Sequence, residues 1–221
     1  MAREGGGRAP VFVLATFNPD KARELEPLLA GAGFALATLA GRPGVAAPEE
    51  HGTTLLENAR IKARAALAAT GLPAIADDTG LEVDALGGAP GVHAARFAGP
   101  DATYADNVRL LLERLAGVPA ERRTARFRTA CVACFPDGTE LEGEGALEGR
   151  ITTSPRGSGG FGYDPVFELA DGRTYAELTA AEKNAISHRS RAVRALVEKL
   201  VRDESRLRRI APATGPAPGP R

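Results

Sequence analysis

The chain of 221 residues contains no tryptophan, one methionine and two cysteines. Cys131 and Cys134 are too few to staple a fold through disulfides. Residues three apart on a strand face opposite sides, and no second Cys/His pair accompanies them to make a zinc site. Both therefore read as small buried hydrophobes. An excess of charge is lacking too, since 28 Lys plus Arg balance 28 Asp plus Glu. Proteins that live on duplex nucleic acid carry a basic surplus, because phosphate neutralisation supplies much of their affinity. No nucleic-acid partner is expected. Long apolar runs are also missing. The longest early one, Val11-Phe12-Val13-Leu14-Ala15, is too short for a signal-peptide core or a spanning helix. A cytoplasmic protein with no membrane partner is expected.

What is present is an apolar fraction of 43%, close to the globular average and enough for one sizeable core. Short apolar runs alternate with helical patterns, which predicts an α/β fold. Strands are expected at Val11–Thr16, Phe34–Leu39 and Ala74–Asp77, with a hairpin of Arg126–Phe135 and Gly138–Gly149 around Pro136-Asp137-Gly138. Helices are expected at Pro19–Gly31, Thr54–Thr70, Tyr104–Leu115 and, in one or two pieces, from Thr179 to about Arg202. The folded domain is expected over residues 10–204. Residues 1–9 and 205–221 read as disordered tails with too little to bury.

Four local signals point to a ligand site. Asn18 is a favoured N-cap and Pro19 suits the first helical position, so a helix start is well written there. Lys21 in its first turn opposes the macrodipole, a conflict that a bound anion would remove and that a solvent-pointing lysine would merely tolerate. Second, Ala74-Ile75-Ala76-Asp77-Asp78-Thr79-Gly80 is read as an apolar strand ending in two carboxylates and a turn, and ligands of open α/β sheets collect at carboxyl ends of strands. Only one of Asp77 and Asp78 is expected to face a given metal, because strand side chains alternate. Glu49-Glu50 in an upstream loop offer a further carboxylate. Hard oxygen ligands of this kind suit Mg²⁺, and ordinary turn chemistry is the plain alternative. Phosphoribosyltransferases also place paired acids before a Thr-Gly loop, but Leu81-Glu82-Val83-Asp84 is a poor phosphate cradle.

Third, Gly157-Ser158-Gly159-Gly160-Phe161-Gly162-Tyr163-Asp164-Pro165 sets two aromatics among glycines, suited to close approach around a planar ring, with Asp164 able to accept from ring N–H groups. No Lys-Ser/Thr follows, so it is not a Walker A loop. Fourth, Thr179-Ala180-Ala181-Glu182 is a capping box, followed by Lys183 against the dipole and by Ser187-His188-Arg189. A structural histidine and a solvated arginine face are the bland readings of that last run. Taken together, these signals describe a site for a polyphosphate, a base and Mg²⁺.

The motifs, in this order, resemble those of the inosine triphosphatase family, the noncanonical purine nucleoside triphosphate (dITP/XTP) pyrophosphatases. The resemblance runs through Thr16-Phe17-Asn18-Pro19-Asp20-Lys21, Glu57-Asn58-Ala59, Ala76-Asp77-Asp78-Thr79-Gly80-Leu81 and Gly87-Gly88-Ala89-Pro90-Gly91-Val92 with Ala95-Arg96. It continues through Gly159-Gly160-Phe161-Gly162-Tyr163-Asp164-Pro165 and Ser187-His188-Arg189. Thr79 stands where bacterial members often have serine, and the hydroxyl is kept. The resemblance implies an elongated mixed β-sheet flanked by helices, two lobes around a central cleft, and a homodimer. It implies Mg²⁺-dependent hydrolysis of dITP, ITP and XTP to the monophosphate and pyrophosphate, cleansing the nucleotide pool. By the same resemblance Thr16, Phe17, Asn18, Pro19, Asp20 and Lys21 hold the triphosphate. Asp78 is the catalytic acid–base group and, with Glu49 or in its place the adjacent Glu50, a metal ligand. Thr79, Phe161, Gly162, Tyr163, Asp164, Lys183, His188 and Arg189 contact substrate.

Two rivals share part of this pattern. A Maf-type nucleotide pyrophosphatase shares the opening motif but should lack Phe161-Gly162-Tyr163-Asp164 and Ser187-His188-Arg189. A nucleotide-binding module without turnover has no use for an acid at the position of Asp78.

Overall fold

Val11–Leu14 (β1) pairs in parallel with Ala35–Thr38 (β2) on one side and with Ala74–Val83 (β3) on the other. Parallel neighbours need crossovers, and two helices supply them: Pro19–Gly31 (α1) between β1 and β2, and Leu55–Thr70 (α2) before β3. These contacts come from a computed structural model that describes residues 9–39 and 46–210. Of the expected tails, residues 1–8 and 211–221 lie outside the described residues.

From β3 onward the sheet turns antiparallel. Pro90–Gly91 (β4) pairs with the far end of β3; Tyr104–Arg114 (α3) then leads to Thr124–Cys134 (β5), Glu140–Ile151 (β6) and Phe167–Glu168 (β7). The strand order is β2-β1-β3-β5-β6-β7, with β4 alongside β3. The chain ends its described part with Ala180–Ile186 (α4), His188–Arg202 (α5) and Glu204–Ile210 (α6).

Three apolar clusters divide the molecule. On one face of the parallel half, Phe12, Leu14 and Ile75 meet Leu25 and Leu29 of α1 and Leu196 and Leu200 of α5. On the other face Val13, Ala74 and Ala76 meet the alanine stripe Ala59, Ala63 and Ala66, small residues that bring α2 close to the sheet. The third cluster sits at the far end of the long strands. There Leu81, Val83, Ala125 and Phe127 pack with Leu111 of α3 and Leu115 just after it, and with Tyr163, Phe167 and Tyr175. Cys131 and Cys134 are buried, unpaired and in clusters on opposite faces, as the strand alternation requires. A Cβ on Gly143 or Gly145 would run into the backbone of α5, so these glycines let that helix lie directly on β6.

Two expectations are corrected. The strand at Ala74 does not stop at Asp77; it runs on to Val83 because every residue from Ala74 to Val83 has a partner in β5. Asp77 and Asp78 are thus in mid-strand. The C-terminal tail does not begin at 205, since Glu204–Ile210 is helical and buries Leu207 against the α1–α5 cluster. The remaining boundaries differ by a residue or two, as in β6, which begins at Glu140 and not Gly138. The C-terminal helix, expected in one or two pieces, forms as two that meet at Ser187, the N-cap of α5.

Candidate active site

β1 gives out at Leu14, whose partner in β3 is Ile75. Just beyond that pair, the loop after β1 and the middle of β3 open into a cleft of about 610 Å³ between the two halves of the molecule. The carboxyl end is therefore that of β1. Of the expected residues, Thr16 to Lys21, Asp78, Thr79, Phe161 to Asp164, His188 and Arg189 all line this one cleft. They come from four segments of the chain.

Asn18 caps α1, accepting from the backbone N–H groups of Asp20 (2.8 Å) and Lys21 (3.3 Å), while its own N–H donates to Thr16 Oγ1. The cap thus satisfies two of the N–H groups that an anion would use. Lys21 instead reaches inward, with Nζ 3.4 Å from Asp77 and 3.9 Å from Asp78. Its place against the helix dipole is explained first by carboxylates. Lys183, expected to oppose its helix dipole, falls instead in the last turn of the short α4, and it too is paired with a carboxylate. It lies beneath the glycine loop rather than on the cleft wall, buried, with Nζ donating to Asp164 at 2.6 Å and 4.5 Å from the centre of the Tyr175 ring.

Alternation along β3 separates the two aspartates. Asp77 points toward α1 and α5, where Arg189 Nε donates to it at 3.3 Å and Thr79, two residues on, donates its hydroxyl. Arg189 is 2% exposed and also pairs with Glu24 and donates to Thr79, so three of its nitrogens are already engaged. Burial alone would raise the Asp77 carboxyl, but Lys21, then Arg189 and Lys62, outweigh it and hold it well below the usual range. Asp78 points toward α2. Lys62 Nζ donates to its Oδ1 at 2.7 Å and Asn58 Nδ2 to its Oδ2 at 3.4 Å. Burial would lower the Lys62 ammonium, yet Asp78, Asp77 and Glu50 together raise it.

Glu50 takes the position expected of Glu49. Its carboxylate lies 3.3 Å from Lys62 and lines the cleft, whereas Glu49 is exposed and does not line it. Asn58 sets this loop, since its Oδ1 accepts from the Gly52 N–H and a Cβ at Gly52 would collide with it. Arg96 donates to the Glu50 carbonyl from the other half of the molecule.

At the opposite end, Gly160 has φ +77°, and a Cβ there would strike both Asp164 and Lys183. Glycine is therefore required for the loop to close over that ion pair. Asp164 Oδ2 also accepts from the Phe161 N–H, which anchors the loop. Tyr163 is a core residue whose hydroxyl donates to the Ala94 carbonyl. Phe161 stays half-buried on the cleft wall, with the Arg189 guanidinium 5.7 Å from its centre. The His188 ring stacks on Phe127 at 4.7 Å, and its Nδ1 is buried without a partner. Burial, and then Arg189, push the His188 imidazole well below its usual pKa, so it is neutral.

Sequence reasoning missed Glu24, Lys62 and Tyr104, and it left the choice between Glu49 and Glu50 open. Lys62 carried a signal: Asn58 and Lys62 stand four apart, in line with the alanine stripe that α2 turns to the sheet. Polar side chains on a buried face need partners.

Comparison with known proteins gives one consistent answer. The model described as the Ham1 family matches residues 12–199. A dITP/XTP pyrophosphatase of Symbiobacterium thermophilum is 56% identical over 190 residues, covering 86% of this chain and 94% of that protein. A HAM1 protein from Coxiella burnetii is similar in structure, with a TM-score of 0.79, 41% identity, and coverage of 87% of this chain and 99% of that one. A nucleoside-triphosphatase/dITP/XTP pyrophosphatase from Mycobacterium abscessus has a TM-score of 0.70 at 44% identity, covering 86% and 99%.

Proposed function

The chain belongs to the Ham1 family, and from that premise we propose that it hydrolyses noncanonical purine nucleoside triphosphates, dITP, ITP and XTP among them, to the monophosphate and pyrophosphate. The observation that carries this reading is the cleft itself, with a carboxylate held by a lysine at one end and an aromatic on a glycine loop at the other. Its relatives named dITP/XTP pyrophosphatase support the substrate class. A nucleotide-sensing module has no need of Asp78 clamped between Lys62 and Asn58.

In the proposed reaction the triphosphate lies toward Lys21 and Lys62, whose side chains keep 17% and 12% exposure and so remain reachable from the cleft. Phosphoryl chemistry depends mainly on positioning and charge neutralisation, and the two ammonium groups supply both. Asp78 orients a water for in-line attack on the α-phosphorus and accepts its proton, while the bond to pyrophosphate breaks. Asp77, shut in by Arg189 and Lys21, ties β3 to α5 and α1. Its charge serves structure.

Asp78 and Glu50 offer hard oxygen donors on the same wall. Among the described residues no group of three His, Cys, Asp or Glu side chains gathers to hold an ion unaided. That donor set fits Mg²⁺, which takes one or two carboxylates and completes its shell with water and substrate phosphates. When bound there, the ion supplies further neutralisation of the developing pyrophosphate charge.

The base lies toward Phe161, with the neutral His188 at its edge. A site that donates to a purine 6-oxo oxygen leaves those donors unpaired against a 6-amino group, at a cost of about 1–3 kcal/mol each. With Arg189 engaged by Asp77, Glu24 and Thr79, reading of the base falls to His188 and the backbone of the glycine loop. No helix among the described residues is long and apolar enough to cross a membrane. A cytoplasmic homodimer acting on the free nucleotide pool is the proposed setting. Steady-state pyrophosphate release from dITP, XTP and the ordinary dNTPs tests this reading.

A further inference from the structure

Tyr104 touches both ends of the cleft while belonging to neither of the motifs that build them. It opens α3, whose start is fixed by a capping box between Thr103 and Asp106. Its hydroxyl donates to Asp20 Oδ2 at 3.1 Å and accepts from Asn18 Nδ2 at 3.2 Å, linking α3 to the N-terminus of α1 across the cleft mouth. Its ring stands 5.8 Å from that of Phe161, tilted by 41°. Tyr104 is 41% exposed and lines the cleft, so its ring is open to a ligand there. Because α3 packs into the cluster at the far end of the long strands and α1 into the cluster near β1, this side chain is a tie between the two halves.

We propose that Tyr104 is a positioning residue for nucleotide binding: its hydroxyl sets Asn18 and Asp20 at the triphosphate end, and its ring sets Phe161 at the base end. The inference rests on the reading of the cleft as a nucleotide site and adds a residue to it. Two separable functional groups on one side chain make a specific expectation. Loss of the hydroxyl acts on phosphate recognition alone, whereas loss of the ring acts on both ends.

The test compares Tyr104→Phe and Tyr104→Ala with the unchanged enzyme. It uses KM and kcat for dITP, inhibition by inorganic tripolyphosphate, inhibition by inosine, and thermal melting. Tyr104→Phe is expected to raise the KM for dITP and the inhibition constant of tripolyphosphate about five- to tenfold, the worth of one lost hydrogen bond pair, with inosine inhibition and kcat unchanged. Tyr104→Ala is expected to weaken inosine as well. Adding it to Phe161→Ala should weaken inosine no further, because the ring acts through Phe161. Variants that melt lower but keep the parent's KM and both inhibition constants would reduce Tyr104 to a fold contact and overturn the proposal. Equal losses for both probes in Tyr104→Phe overturn it too. Turnover of dITP by the unchanged enzyme separates the two claims: with it, only the role of Tyr104 is at stake. An enzyme that neither turns over dITP nor binds tripolyphosphate overturns both.

Discussion

Lys62 Nζ donates to Asp78 Oδ1 at 2.7 Å, and the two side chains come from opposite walls of one crevice, α2 and β3. The pair places a cation beside the group proposed as base, so that Asp78 is oriented before substrate arrives. Asp78→Asn keeps the shape and removes the charge, and should lower kcat by about 10²–10⁴-fold, the usual worth of a positioned acid–base group. Lys62→Met should lower kcat and raise the KM for dITP, since the ammonium serves both the base and the phosphates. The double variant should be little worse than the poorer single one, measured as pyrophosphate release, because the two residues act as a unit.

Arg189 and Asp77 should behave differently. Both are buried, and removing either breaks a buried ion pair, leaving Asp77 to Lys21 alone or Arg189 to Glu24 alone. Asp77→Asn and Arg189→Ala should each cost about 3–5 kcal/mol of stability by urea unfolding. In Arg189→Ala, kcat/KM should fall by one common factor for ITP, XTP, GTP and ATP. A selective loss for ITP and XTP would return base reading to Arg189.

His188 gives the pH dependence. Its imidazole is neutral in the folded chain because burial and Arg189 depress its pKa, whereas the unfolded chain protonates near the ordinary value of about 6.5. Below that value the unfolded state holds the extra proton. Stability therefore falls as pH drops from about 6.5, by up to ~1.4 kcal/mol per pH unit until the folded pKa is reached. Asp77 adds a second loss only in the acid range below its ordinary pKa of 3.8, since its folded value is lower still. Urea unfolding at pH 7 and pH 5 should show the drop in the parent and a smaller one in His188→Gln.

Phe161→Ala should weaken all purine substrates alike, by about 1–3 kcal/mol, because stacking reads the face of a ring and not its edge. Chelation by EDTA should abolish turnover and Mg²⁺ should restore it, with Glu50→Gln raising the Mg²⁺ concentration required while Glu49→Gln leaves it unchanged. Equal effects of the two glutamate variants would remove the assignment of Glu50.

The residues that were legible in the sequence are those whose local pattern carries a conflict. Lys21 sits against the dipole of α1 and Lys183, which the sequence places in a first turn, falls in the last turn of the short α4; both reach buried carboxylates. Gly160 stands out among glycines because an ion pair lies directly beneath it. The expected hairpin and the helix after Asn18 followed from turn and cap chemistry. The continuation of β3 through Asp77-Asp78-Thr79-Gly80 was not legible. Those residues look like a turn, and only their pairing with Cys131, Ala130, Thr129 and Arg128 across the sheet keeps them extended. Glu24 was hidden for a related reason: its partner Arg189 is far away in the chain, and nothing in α1 marks Glu24 rather than Glu26 as that partner. Long-range partners leave no local trace.

The central claim is a particular bond cleaved in a particular class of nucleotide. It is tested most directly by kcat/KM for dITP, XTP, dGTP and dATP with purified enzyme and Mg²⁺, with phosphate products resolved as pyrophosphate or orthophosphate. The account predicts pyrophosphate and the monophosphate as products, with dITP and XTP preferred over dGTP and dATP. Release of orthophosphate, or equal rates on all four nucleotides, would contradict it.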